Sequence, residues 1–566
     1  MTLLVISPDY ASHLLPLATL ATEWRDRGER VVVATGPATA AIVESFGFER
    51  VHLQLGRGSN PGVIRAEEQV AEEDASLRGF FDATRLGMVE TLSYQARERL
   101  TDLMWQPVAT ARAVLDVVAA VQPDQIVVDH LAFSARLALV AGGVPFADVV
   151  LGHPTALPVG DEVYGCPPEW PAAFGVGAAR PVGDAGRTTD VVSNHPHAWF
   201  DSTSVVRPGS GSGAGSAPEG VAGLRELCER VDASFTAEWN AALAELAPHL
   251  PPSTSAFGEH GDLLLYNYPG ELADPEREPL RPPHVWLGSA ARAEPVDAEV
   301  AAWLAEGAAP APATPFVYVS FGSFLSVRSD VLGRVAEALR RVGVRAAIAL
   351  GSGDRADLGE VPADWLVREF LPQVTLLDAA TAAVTHGGNN SVTEAMTAGV
   401  PVVVLPFSTA QFAGAAARAR TGVGVALAPN TATVDELAEA LRHVLDLPTR
   451  DPGAAGRLAG LSASLHETPG RARAHAALTG RGCPPRPSPP KTTARMASAP
   501  TDASRYRCIS AALASYCGPS RTSAWWCRAK TMPSCRRGAS PSRVVWARYQ
   551  AASSKPQPRK RSSCPP

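Results

Sequence analysis

The stretch Val384-Thr385-His386-Gly387-Gly388-Asn389-Asn390-Ser391-Val392-Thr393-Glu394 combines residue types that can hold an anion. An apolar strand ends, two glycines let the backbone approach a ligand closely, and polar residues open a helix. The start of such a helix presents unpaired N–H groups and the positive end of the dipole, which suits a phosphate. Asn390 and Ser391 add side-chain donors, and His386 can donate to a phosphate oxygen. Glu394 lies one turn along, where a carboxylate can accept from a ribose hydroxyl. A second group stands near the N-terminus, in Ser12-His13-Leu14-Leu15-Pro16. An imidazole there can take a proton from an alcohol at neutral pH. Such a base needs a carboxylate to orient it and to stabilise it once charged. Asp129 closes the apolar run Gln125–Val128 and is the expected partner, with Asp124 as its rival in a turn. Plainer readings stand beside these: a Gly-rich turn with an Asn cap, a histidine near a helix cap, and an aspartate capping the next helix.

These groups need elements to carry them. Leu3–Ile6 reads as a buried strand and Leu14–Arg27 as a helix with Pro16 in its first turn and Gly28 at its stop. Val31–Ala34 follows as a strand, so the chain opens as a βαβ unit with a parallel sheet. Residues 66–120 read as helical, with Glu67, Glu68, Glu72 and Glu73 on a solvated face. Further strands are expected at Gln125–Val128, Phe146–Val150 and Leu263–Tyr266, and helices at Ala132–Val140 and Leu224–Leu246. Residues 205–220 read as a flexible loop. A Pro-rich linker at 290–315 holds a short helix near Val300–Leu304. A second α/β unit then runs through strands at Phe316–Ser320, Ala346–Leu350, Ala382–Thr385 and Val402–Leu405. Its helices are expected at Val331–Arg341 and Asn390–Thr397, and from the capping box Thr433–Glu436 to Val444.

The chain has 566 residues, 46% hydrophobic and 19% charged, which calls for at least two domains and rules out wholesale disorder. No apolar run is long enough for a membrane span, and Met1–Ala21 lacks the basic start of a signal peptide, so the expected location is the cytosol. The formal charge of −6 hides a split. Residues 481–566 carry 17 Lys and Arg against one acid, Asp502, leaving 34 basic against 56 acidic residues in the first 480. Six of the eight cysteines also fall in that tail, without metal-ligand spacing. Its composition is that of a GC-rich gene read out of frame; a disordered tail and a basic nucleic-acid arm are the other readings. The acidic body is a poor nucleic-acid binder.

Phe370-Leu371-Pro372-Gln373, beginning 16 residues before His386, changes the weight of the Gly-rich turn. With His386 to Glu394, Gly399-Val400-Pro401 and Gln411, it resembles the donor-binding signature of the UDP-glycosyltransferase superfamily, in its bacterial macrolide and secondary-metabolite form. The resemblance covers about residues 1–478 and is least diagnostic over 155–260. It implies the GT-B architecture: α/β, two Rossmann-like doubly wound domains facing across a cleft. These would be an acceptor-binding domain at 1–289 and, after the 290–315 linker, a nucleotide-sugar domain at 316–480. The fold's last helix often crosses back to brace the N-terminal domain.

The resemblance also implies roles. Gln373 would meet the base or ribose and Phe370 would stack on the base. His386, Gly387, Gly388, Asn390 and Ser391 would hold the diphosphate, with Ser323 on the phosphate-side loop. Glu394 would take the ribose and Gln411 the sugar hydroxyls. His13 and Asp129 would be the catalytic pair. No metal, cofactor or Asp-x-Asp pair is implied. The departures are Ser12, where the family has Gly, and Ala410, where it has an acid. The second counts against glucose as donor and points either to a deoxysugar or to weak activity.

The implied partners are a nucleoside diphosphate sugar and a small lipophilic hydroxyl acceptor, without nucleic acid or membrane insertion. The implied reaction is inverting transfer to that hydroxyl. A non-catalytic nucleotide-sugar-binding partner of another transferase is the alternative. A nucleotide-sugar epimerase and a nucleic-acid protein driven by the tail are further readings.

Overall fold

Leu3-Leu4-Val5-Ile6 shows why the first strand needs cover on both faces. In the computed structural model of the chain, Leu3 and Val5 pack with Leu14, Leu17 and Trp24. Leu4 and Ile6 pack on the opposite side with Val114, Val117 and Leu139. Successive side chains of a strand alternate between faces, so an apolar run without polar interruption is satisfied only by helices above and below it. The structure describes residues 1–62, 71–174, 205–206, 219–292, 294–308, 314–408 and 410–480. The expected loop at 205–220 and the basic tail at 481–566 lie almost wholly outside these residues.

The N-terminal lobe runs β1 (Thr2–Ile6), α1 (Ala11–Asp26), β2 (Arg30–Thr35), β3 (Glu49–His52), α2 (Ala71–Leu86) and α3 (Pro107–Val121). It continues through β4 (Gln125–Asp129), α4 (Phe133–Ala141), β5 (Ala147–Val150), α5 (Glu219–Leu246), β6 (Leu263–Tyr266) and β7 (His284–Trp286). Its sheet is parallel throughout, in the order β3-β2-β1-β4-β5-β6-β7. The chain then passes through α6 (Ala298–Ala308) into β8 (Phe316–Ser320), α7 (Ser329–Val342), β9 (Arg345–Ala349) and β10 (Leu366–Arg368). β11 (Ala382–Thr385), α8 (Asn389–Ala398), β12 (Val402–Val404), α9 (Ala410–Thr421) and β13 (Gly424–Ala426) follow. The second parallel sheet has the order β10-β9-β8-β11-β12-β13. The described chain finishes with α10 (Val434–Leu445), a single turn at Leu447–Arg450, α11 (Pro452–Glu467) and α12 (Gly470–Thr479). In both sheets the order reverses beside the first strand, and it is at such a point, past the carboxyl ends of the strands, that ligands bind. Among the described residues, no helix is long and apolar enough to cross a membrane.

Several local expectations change. α1 begins at Ala11 rather than Leu14, so Pro16 sits in its interior. A proline there has no N–H for the carbonyl four residues back, and the Ser12 carbonyl is left without a helical donor. The linker holds a longer helix than expected, Ala298–Ala308. Gly87, at φ +158°, separates α2 from the next helical segment, breaking up the 66–120 stretch. Glu73, read as part of a solvated face, is buried at 4% exposure, because α2 turns this residue inward beside Gly58. Glu67 and Glu68 lie outside the described residues.

The two lobes pack closely. Phe80 and Phe81 of α2 each lie 5.3 Å from the ring of Phe324 in the C-terminal lobe. Arg328 donates from Nη1 to the Thr84 carbonyl at 2.9 Å. The final helix, assigned from sequence to the C-terminal lobe, crosses back. α12 packs on α1, with His475 edge-on to Trp24 at 4.8 Å. Gln125 donates to the Leu478 carbonyl at 2.9 Å, and Arg471 meets Asp26 at 2.8 Å.

Trp24 is 1% exposed and anchors this strap, also donating from Nε1 to Gln125 at 2.8 Å. Trp24→Ala should therefore destabilise the N-terminal lobe by about 3–5 kcal/mol. Urea unfolding followed by circular dichroism measures it; a loss below about 1 kcal/mol would mean that the strap is not fastened through this residue.

Candidate active site

β1 delivers the chain to the top of its sheet, and the loop Ser7–Tyr10 turns it into α1, whose first turn carries His13. β4 is the neighbouring strand, paired Ile6 to Val128, so its last residue, Asp129, arrives beside that turn. The two side chains meet with His13 Nδ1 2.7 Å from Asp129 Oδ2. Asp129 is fully buried, while the His13 side chain keeps 24% exposure. The other carboxylate oxygen accepts from the Leu131 N–H at 2.8 Å. Burial by itself disfavours the Asp129 charge, but His13 and His130 outweigh it and hold the carboxyl below its usual range. Burial also works against a charged His13, and the charge and hydrogen bond of Asp129 overcome it, so the His13 pKa is raised. The pair therefore presents a ring fixed through Nδ1, with Nε2 as its remaining nitrogen and a counter-charge behind it.

The second part of the site is the turn from β11 into α8. Gly387 has φ +83°, a conformation that favours glycine. A Cβ on Gly388 would lie 2.4 Å from His386 Nε2, so the turn accepts no side chain there. Gly388 is the N-cap of α8 and no side chain caps the helix, which leaves its first N–H groups for a ligand. His386 is pushed down to about 4 by burial, against a hydrogen bond with the Ser320 backbone, so the ring is neutral at pH 7. It also packs beside Gly322, whose added Cβ would meet it at 2.9 Å. Ser323 follows in the short helix Gly322–Leu325, at the end of β8.

The remaining expected residues gather around this turn. Gln373 Nε2 donates to Glu394 Oε2 at 2.5 Å and approaches Ser391 Oγ at 3.4 Å. Burial pushes the Glu394 carboxyl up to about 7, opposed by Arg292 and Gln373 and assisted by Glu294. Arg292, within the linker, lies 3.7 Å from Glu394 and was not singled out from sequence, where it is one arginine among prolines. Phe370, three residues before Gln373, is 52% exposed. Gln411 Oε1 accepts from the Phe407 and Ser408 N–H groups at 3.0 and 3.2 Å, so its amide nitrogen is what remains for a ligand.

Asn390 differs from its expected part. Its Nδ2 donates to the Ser12 carbonyl at 2.9 Å, and its Oδ1 accepts from Asn267 at 3.3 Å. The side chain fills the acceptor that Pro16 leaves open, so Asn390 has its backbone N–H rather than its side chain left at the turn. This bond ties the residue before His13 to the helix that starts at the Gly-rich turn. His13, Gly387, Gly388 and Gln411 line one cavity of about 470 Å³. Its far wall includes Tyr164 and Leu100, giving it a mostly apolar side suited to a lipophilic molecule. Among the described residues, no group of three His, Cys, Asp or Glu side chains is placed to share a metal ion.

Two parallel-sheet lobes with this turn in the second define a GT-B protein. The spinosyn rhamnosyltransferase SpnG, solved with thymidine diphosphate, shares the fold with a TM-score of 0.52 at 17% identity, covering 85% of this chain and all of that one. Residues 333–465 match the family described as "Erythromycin biosynthesis protein CIII-like, C-terminal domain". The NDP-glycosyltransferase YjiC of Bacillus subtilis is 30% identical over 29% of this chain and 41% of its own length. The demethyllactenocin mycarosyltransferase of Streptomyces fradiae is 33% identical over 24% of this chain and 30% of its own. The chain thus aligns with less than half the length of these curated relatives, and they agree with the superfamily resemblance read from residues 370–411.

The electrostatics give a direct test. Side-chain NMR of labelled protein should find His13 titrating above 6.5, and below 6.5 in Asp129→Asn, where burial acts without the opposing carboxylate. An unchanged His13 titration in that variant would contradict the pairing.

Proposed function

We propose that the protein is an inverting glycosyltransferase, moving a sugar from a nucleoside diphosphate to a hydroxyl of a small lipophilic acceptor in the cytosol. The observation that carries this reading is the shared cavity: the His13 imidazole, backed by Asp129, and the Gly387-Gly388 turn line the same space. The EryCIII-like domain and the glycosyltransferase relatives support it. The thymidine diphosphate held by a protein of the same fold supports a uridine or thymidine diphosphate donor.

In the proposed reaction the diphosphate rests on the N–H groups that open α8, beside neutral His386. Phe370 covers the base, and Gln373 and Glu394 exchange their mutual hydrogen bond for the ribose. The acceptor lies along the apolar wall with its hydroxyl at His13 Nε2. His13 takes the hydroxyl proton as the oxygen attacks the anomeric carbon, and Asp129 stabilises the imidazolium that forms. The bond to the nucleotide breaks on the opposite face, and the charge growing on the leaving diphosphate is met by the helix terminus. A single displacement of this kind inverts the anomeric centre.

Sugar transfer scored by mass spectrometry, with UDP- and dTDP-sugars against an acceptor library, tests the reading. His13→Ala should lower turnover by at least ~100-fold while leaving the affinity for UDP or dTDP within about twofold. Unchanged turnover would remove His13 from the mechanism. Gly388→Ala should act on the other half of the site, weakening nucleotide binding by at least ~10-fold, because the new Cβ meets His386 and closes the approach to the helix terminus.

A further inference from the structure

Two turns along α9 from Ala410 and Gln411, the cavity ends on a charge without a counter-charge. Arg418 is 1% exposed and lines the cavity wall. Its Nε and Nη1 are buried with no hydrogen-bond partner. Other arginines nearby have a carboxylate beside them: half-buried Arg420 meets Glu169 at 2.6 Å, Arg277 meets Glu162 at 2.8 Å, and Arg281 lies 3.5 Å from Glu278. Among the described residues, no carboxylate pairs with Arg418.

Two further buried polar atoms without partners stand beside it, His153 Nε2 and the Tyr268 hydroxyl, on rings packed edge to face at 4.9 Å. Gly414 leaves the room between them: a Cβ there would lie 2.7 Å from Arg418 Nη1 and 3.4 Å from His153 Cδ2. His153 Nδ1 accepts from the Thr155 N–H at 3.4 Å and contacts its hydroxyl at 2.9 Å, which leaves the ring proton on Nε2. Burial and the surrounding arginines keep this ring neutral.

The cluster thus offers three donors, a guanidinium, an imidazole N–H and a phenol hydroxyl, and no negatively charged acceptor. A buried guanidinium left unpaired is strongly unfavourable, and its planar fork matches a carboxylate. Ala410, at the mouth of the same helix, brings no negative charge to repel one. The cavity's own acids are placed elsewhere: Asp9 accepts from Thr39, and Glu73 lies beside Gly58.

We propose that Arg418, His153 and Tyr268 form a carboxylate subsite, which takes an acid group carried by the transferred sugar or by the acceptor. The inference rests on the glycosyltransferase reading and specifies its substrate class. The test uses the full chain with two matched pairs. UDP-glucuronic acid is set against UDP-glucose, and acceptors bearing a free carboxylate are set against their methyl esters. Calorimetry reads binding and mass spectrometry reads transfer. The acid member should be favoured by at least ~10-fold in one pair, and the pair that responds identifies the bearer of the carboxylate. Arg418→Met should erase the preference, Arg418→Lys should keep part of it, and Tyr268→Phe should reduce it, so the result does not depend on one variant folding. Equal handling within both pairs, or a preference that survives Arg418→Met, overturns the subsite. If wild-type protein binds neither UDP nor dTDP, the glycosyltransferase reading falls and the subsite falls with it. If nucleotide binds and no acid preference is seen, the subsite alone is wrong.

Discussion

A carboxylate with no solvent contact stays ionised only when something nearby favours its charge more than burial opposes it. Asp129 meets this condition through His13, at 2.7 Å, and through the N–H of Leu131. The architecture of the N-terminal lobe follows from bringing these groups together. β1 and β4 must be neighbours, their apolar runs must be covered on both faces, and the loop before α1 must present the imidazole at the carboxyl edge of the sheet. A ring held at Nδ1 by a buried anion is then a base with one defined free nitrogen.

The second constraint is how that nitrogen finds the other lobe. Pro16 cannot donate to the Ser12 carbonyl, and Asn390 does so in its place. One missing N–H in α1 thereby becomes a contact between the residue preceding His13 and the helix that follows the Gly-rich turn. The phenylalanine contacts of α2 with Phe324 and the return of α12 onto α1 hold the same arrangement from two other sides. Burial pushes His386 down to about 4 and Glu394 up to about 7, so the imidazole beside the turn is neutral at pH 7.

Much of this could be read from residues. Leu3–Ile6, Val31–Ala34, Phe316–Val319 and Val402–Val404 are unbroken apolar runs, which a doubly covered parallel strand requires, and each lies in a strand of the structure. Strands at or beside the sheet edges were harder. Glu49–His52 mixes charge with a partly buried valine, and Leu366–Arg368 is three residues long, too short for a period. The Gly-rich turn was legible because glycine, polar caps and an abrupt end to apolar residues occur together in a few positions. Arg418 and His153 were not, since each acquires meaning only when distant segments meet, and Glu73 was hidden among the neighbouring acids Glu67, Glu68 and Glu72. Asn390 was assigned a side-chain ligand because its neighbour relationship with Ser12 depends on the packing of the lobes, which no local spacing encodes.

In the proposed reaction the opening of α8 and the His13 imidazole serve one ligand-filled space. A crystal structure with UDP or dTDP bound measures it most directly. The terminal phosphate should lie within hydrogen-bond distance of the N–H groups of residues 388–391, beside His386, with its outer oxygen facing the cavity that His13 lines. A diphosphate bound elsewhere, or one at this turn whose outer oxygen faces away from that cavity, would contradict it.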